Sequence, residues 1–150
     1  MRFQRFAVIA FVVGLSAAST IPAHAATAAV ISSAGPQAAL DYAYDQIGKE
    51  YCYGGTGPSC FDASGLTKKA WAAGGVTLPR TIGAQYSVTR RVRYGGLRPG
   101  DLVFFSDLGH VGIYVGSGKM IHAPRTGRDI EMVSITSGYY RSEYYGAGRP

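Results

Sequence analysis

The sequence predicts an α+β domain, and three observations carry that prediction. Residues 36–75 hold two segments with helical apolar spacing, separated by a glycine-rich loop. From about residue 97 onward the chain changes to short runs of aromatic and β-branched residues divided by turn signals. Helices come first and strands afterwards, without the strand-helix alternation that a parallel sheet requires. At 150 residues, 47% hydrophobic and 16% charged, the composition fits one globular domain with a modest core. No internal repeat and no second domain is visible.

The first residues stand apart from that domain. Arg2 and Arg5 precede the apolar run "FAVIAFVVGLSAA", and Ala23 and Ala25 supply the small residues that a signal peptidase reads. Residues 1–25 are therefore read as a secretory signal peptide; the apolar run is shorter than the ~20 residues of a membrane span. Residue 26 is alanine, so no cysteine is present there to carry a lipid. The mature chain is expected to be secreted, extracellular or cell-wall associated, with no membrane span. Residues 26–35 read as a mobile lead-in of small residues, and 36–150 as the domain. Without the two arginines of residues 1–25 the formal charge of +6 becomes +4. Such a charge draws an exported domain toward anionic surfaces such as a bacterial envelope. The arginines are scattered and no basic helix offers base-reading side chains, so no nucleic-acid partner is expected.

The elements follow in order. Pro36 opens a helix with Leu40, Ala43 and Ile47 on one face and Gly48 at its stop. "YCYGGTGPSC" is a loop. Asp62 caps a second helix whose apolar face is Ala63, Leu66, Ala70 and Trp71, ended by Gly74 and Gly75. A short helix is expected near Ile82 to Tyr86. "LRPGD" is a turn, with Asp101 a turn residue, and "LVFF" is a buried strand. "HVGIYV" and "KMIHA" are two strands joined by "GSG", with "DIEMVSI" and the C-terminal tail as the fourth and fifth.

Only Cys52 and Cys60 are available for sulfur chemistry. An even count in an exported chain favours a disulfide, here around the flexible "GGTGPS". A C-x7-C spacing with distant histidines is not a zinc pattern, so neither a metal nor a cofactor is expected. If "GSG" is a three-residue hairpin loop, Val115 pairs with Lys119 and His122 falls opposite Gly112. His110 then lies on the same face, diagonal to His122. A two- or four-residue loop would separate the histidines onto opposite faces. A histidine pair beside a helix N-terminus suggests catalytic ancestry.

The stretches "YCYGGTGPSCFDASGL", "LPRTIGAQY", "RPGDLVFF", "GHVGIYVGSGKMIHAPRTG" and "YYGAGRP" closely resemble the NlpC-type cell-wall endopeptidases, papain-like enzymes that cut peptidoglycan stem peptides. The likeness runs from about Pro36 to the C-terminus in unbroken order. It implies a papain-like NlpC-type fold with N-terminal helices packed on a small antiparallel β-sheet. In that family the cysteine of F-D-C-S-G-L is the nucleophile. The resemblance makes His110 the base and His122 the residue that orients it. Tyr51 matches the tyrosine of Y-x-W-G-G near the nucleophile, while Asp62 and Ser64 match positions that shape the substrate pocket. Arg80 and Arg125 are candidates for forked bonds to stem-peptide carboxylates. A helix N-terminus stabilises thiolate, an adjacent imidazole takes the proton, and backbone donors hold the oxyanion.

One departure decides the functional reading. The residue that matches the nucleophile is Ala63, and a methyl group cannot attack a carbonyl. Losing the nucleophile of such a unit costs about 10⁶ in turnover, by analogy with serine proteases. Cys60 lies three residues upstream, up to ~10 Å along an extended chain, and its expected bond to Cys52 occupies it. Ser64 would point about 100° away on the helix. The sequence therefore predicts an inactive domain that binds peptidoglycan or its stem peptides and competes with or guides other cell-wall hydrolases. The alternatives are an active endopeptidase altered from Cys to Ala, and a module whose cleft binds a protein partner. The leader sequence, together with Tyr53 in place of tryptophan, favours a natural substitution.

Overall fold

The computed structural model describes residues 35–150. The secretory signal read in 1–25, and the lead-in up to residue 34, lie outside the described residues. Helix α1 (Pro36–Asp45) begins with proline in its first turn and buries Ala39, Leu40 and Ala43. It ends earlier than the expected stop at Gly48: Gln46 is its C-cap and Ile47 is exposed. Gly48, at φ 87, turns the chain so that its amide donates to Ile130 O at 3.0 Å, which draws the next segment toward the sheet.

Strands β1 (Glu50–Tyr51) and β2 (Cys60–Phe61) form a two-stranded parallel ladder, and the loop between them is closed by the Cys52–Cys60 disulfide. The loop then docks on the start of α2 (Ala63–Ala73). Asp62 N donates to Gly55 O at 2.9 Å, and the Asp62 carboxylate caps the helix by accepting from Gly65 N at 2.7 Å. Gly65 is required there because a Cβ at that position would run into Gly55 O. Ala63, Leu66, Ala70 and Trp71 are buried, as their spacing predicts. The Trp71 indole donates to Gly100 O at 3.0 Å, tying α2 to the turn before β4. Helix α3 (Ile82–Val88) contributes the fully buried Gln85, which donates to Ser64 O and Pro79 O, both at 3.0 Å, and accepts from Thr67 Oγ1 at 2.7 Å.

The second half is a six-stranded antiparallel sheet. Its strands are β3 (Arg90–Val92), β4 (Leu102–Phe105), β5 (His110–Gly116), β6 (Lys119–His122), β7 (Glu131–Ser134) and β8 (Tyr144–Arg149), in the order β3-β8-β4-β5-β6-β7. A short α4 (Gly138–Ser142) precedes β8. Five strands are expected from sequence; the sixth, β3, pairs with the C-terminal strand, and its segment "TRRVR" holds a single apolar residue. The run "LVFF" is buried throughout because both sheet faces are covered. Leu102 and Phe104 pack with α1 and α2, while Val103 and Phe105 join Met120, Ile135 and Ala147 on the other face.

Two details depart from the sequence reading. Asp101 is not simply a turn residue: it is 2% exposed and accepts from Arg149 Nε and Nη2, at 2.6 and 2.7 Å, and from Arg98 N at 2.7 Å. That buried ion pair fastens the C-terminal strand to β4. The β5–β6 turn has two residues, Ser117 and Gly118, both at positive φ, and Gly116 rather than Val115 pairs with Lys119. A bulge between Tyr114 and Gly116 absorbs the extra residue. Ile113 accordingly faces Ile121, and the histidine end keeps the register that a three-residue loop would give.

Gly65→Ala is expected to destabilise the domain by roughly 2 kcal/mol, because overpacking against Gly55 outweighs the gain of about 1 kcal/mol in helix propensity. Urea unfolding checks the sign: a more stable variant would contradict the close docking of loop on helix.

Candidate functional site

His110 opens β5 and His122 closes β6. The register brings His110 Nε2 to 2.7 Å from His122 Nδ1. Gly112 leaves the space beside them, since a Cβ there would crowd Met120 and His122. Glu131, paired with His122 across the β6–β7 ladder, places Oε1 3.3 Å from His122 Nε2. Tyr140 Oη lies 3.5 Å from the same nitrogen. Arg128 Nη2 donates to both Glu131 oxygens, at 2.9 and 2.7 Å.

These contacts define a protonation state. Burial, and then the neighbouring His122, pushes His110 down to about 3. Burial, and then the positive charge of Arg128, pushes His122 down to about 4. Glu131 does not reverse this because Arg128 already neutralises it. Both imidazoles are therefore neutral at pH 7. A carboxylate beside His122 Nε2 favours the proton there, so His122 Nδ1 accepts from His110 Nε2–H. The lone pair of His110 Nδ1 is left for chemistry, and that nitrogen has no hydrogen-bond partner among the described residues.

The second part of the site is the start of α2. Ala63 is its first residue and is 7% exposed. Among the described residues the amides of Ala63 and Ser64 have no acceptor, so both are donors at the positive end of the helix. Arg80 binds Asp62 through both ends of its fork, Nη1 to Oδ1 at 3.0 Å and Nη2 to Oδ2, and Nη1 also donates to Ser64 Oγ at 2.8 Å. The hydrogen bond to Asp62 raises the Arg80 pKa. Burial, and then Asp62, raises that of Tyr51, so its phenol stays protonated and can donate.

The turn before β5 connects the two parts. Strand alternation puts the histidines on the face of Gly112 and Met120, while Val111 and Ile113 on the other face pack in the core with α2. His110 is the first residue of its strand, however, and Leu108, two residues earlier, lines a pocket of about 510 Å³ with Asp62, Ser64 and Arg80. A second pocket, of about 720 Å³, lies between His110, Arg125, Glu131 and Tyr140.

Of the sequence candidates, Asp62, Ser64 and Arg80 are in direct contact, and so are His110 and His122. Arg125 stands across the larger pocket. Cys60 offers no thiol, being bonded to Cys52. Sequence reasoning missed Glu131, Arg128 and Tyr140. Only the register of "DIEMVSI" on β6 could have found Glu131, and the irregular "APRTGRD" between them conceals it.

The fold and this pairing of helix end with histidines define the class, and comparison with known proteins supplies the family. The chain belongs to the NlpC/P60 family, which matches residues 48–149. It is 52% identical over 88 residues to the probable endopeptidase p60 of Listeria innocua, covering 57% of this chain and 19% of that protein. It is 39% identical over 120 residues to the murein DD-endopeptidase MepH of Escherichia coli, covering 74% of this chain and 44% of the relative. The chain thus spans less than half the length of these relatives. Among solved structures, an NlpC/P60 family protein from Bacillus cereus superposes with a TM-score of 0.73 at 33% identity, covering 78% of this chain and 40% of that one. The NlpC/p60 domain of the peptidoglycan hydrolase SagA gives 0.69 at 29% identity, covering 77% of this chain and 99% of that one.

The depressed histidine pKa values set a sign. The unfolded imidazoles take up protons near pH 6.5, and the folded ones only near 4 and 3. Their contribution to stability is complete above about pH 6.5 and is lost as the pH falls toward 4 and 3. Imidazole ¹⁵N spectra at about pH 5.5 should show both rings neutral, with His122 protonated on Nε2. In Glu131→Ala that tautomer preference should disappear. Protonated rings at this pH would contradict the buried network.

Proposed function

We propose that this chain is a secreted NlpC/P60 domain that binds peptidoglycan stem peptides without cutting them. The observation that carries this reading is an intact His110–His122–Glu131 array that begins two residues after Leu108, which lines the pocket of Asp62 and Ser64, with Ala63 as the first residue of α2. In this reading position 63 is where the nucleophile would stand, and His110 Nδ1 is the base left without a proton to take. Everything but the attacking atom remains: amide donors for a carbonyl, a protonated Tyr51, and the pocket of Asp62, Ser64 and Arg80. Relatives named as endopeptidases and peptidoglycan hydrolases support the substrate class and an envelope location.

The integrity of the histidine array also fits a second reading, an active endopeptidase changed at this one position. Both readings assign the same role to residue 63. Residues 1–25 as the secretory signal, 26–35 as the lead-in and 36–150 as the working domain complete the proposal. A cleft that instead holds a protein partner, such as another cell-wall hydrolase, is the competing outcome.

Purified peptidoglycan tests the proposal directly. The mature chain is expected to sediment with it and release no new peptide fragments. Fragment release would overturn the inactive reading, and failure to sediment would overturn the binding one. Ala63→Cys should restore thiol-dependent cleavage, by up to about 10⁶ over the parent chain, and His110→Ala in that background should abolish it.

A further inference from the structure

The two pockets on either side of residues 108–110 differ in charge. In the smaller one, Arg80 is matched by Asp62, which takes both ends of its fork. Arg80 is thereby withdrawn from the carboxylate-binding role that the sequence suggests for it. In the larger pocket, Arg128 is matched by Glu131, and Arg125 has no carboxylate partner among the described residues. The pocket therefore keeps one uncompensated positive charge. Its other polar groups suit an anion as well: Tyr140 and Tyr139 bring phenols and Ser106 a hydroxyl, with Ser106 Oγ 3.2 Å from Tyr139 Oη. Glu131, the one carboxylate there, has its charge offset by Arg128 and does not repel a ligand acid. His110, being neutral, lines the pocket without adding charge.

We infer that this pocket, between His110, the β6–β7 loop and α4, is a carboxylate-recognising subsite in which Arg125 selects ligands bearing a free carboxylate. The inference rests on the stem-peptide reading above and names which part of such a ligand is read. A peptide lying along residues 108–110 would present its amide bonds at the start of α2 and an acidic group to Arg125. The planar fork of arginine matches a carboxylate with two parallel bonds. Specificity of this kind discriminates sharply, because an amide in place of the acid loses the charge and turns one acceptor into a donor facing a donor.

Calorimetric titration of the mature chain with two ligand preparations tests the inference. One is a soluble muropeptide fraction, and the other is the same fraction with its carboxylates converted to primary amides. The unmodified fraction is expected to bind about tenfold or more tightly than the amidated one. Arg125→Gln should remove that preference. Arg125→Lys, which keeps the charge without the fork, should retain part of it. Arg125 is exposed, and circular dichroism together with the histidine ¹⁵N spectra confirms that each variant keeps the fold. Equal binding of both fractions, or a preference that survives Arg125→Gln, would overturn the subsite alone. Binding of neither fraction would remove the stem-peptide reading and the subsite with it.

Discussion

The hydrogen bond between His110 Nε2 and His122 Nδ1, 2.7 Å long, is the constraint around which the site is arranged. It exists only because β5 and β6 hold one register, in which Ile113 faces Ile121. A slip of a single residue would send His122 to the other sheet face. The bulge between Tyr114 and Gly116 sets this register as much as the turn does. Burial then fixes the rings as neutral partners, and Glu131, steadied by Arg128, fixes which nitrogens carry protons. Each of these layers acts on the one before it. The fold supplies the register, the register supplies the pair, and the carboxylate behind the pair supplies its polarity.

The helix side is built just as tightly and serves the same point. Asp62 is both the N-cap of α2 and the anchor for Arg80, and the loop closed by the disulfide packs on Gly65. These contacts orient the first turn of α2 independently of the side chain at 63. A backbone amide does not depend on which residue bears it, so the donors survive an alanine there. In the proposed reading, alanine at 63 lacks one reactive atom and keeps the apparatus that would surround it. A binding role is a natural outcome for such a site, since the contacts that hold a peptide and those that attack it are made by different atoms.

Much of this was legible in the sequence. The apolar face of α2, the Asp62 cap and the antiparallel strands follow from periodicity and turn residues, which are local signals, and the disulfide from an even cysteine count around a flexible loop; α1 follows too, except that Ile47 lies beyond its end and is exposed. The histidine pair was reached through the right register by way of the wrong turn, because a bulge and a longer loop shift the count equally. What remained hidden depends on long-range placement. Glu131 and Gln85 look like ordinary polar residues until β7 pairs with β6 and α3 packs on α2. Asp101 reads as a turn residue because its partner, Arg149, is 48 positions away. Arg80 and Arg125 look alike in sequence, and only the structure shows that one of them is already paired.

The central claim is that a nucleophile's environment persists around position 63, with the base reaching it around the end of β5. The most direct measurement is the pH dependence of thiolate ultraviolet absorbance in Ala63→Cys, taken as a difference from the parent chain. The account predicts a thiol that ionises well below the ordinary value of about 8.5, and a return toward that value when His110 is also replaced by alanine. A thiol that titrates at or above the ordinary value, indifferent to His110, would contradict it.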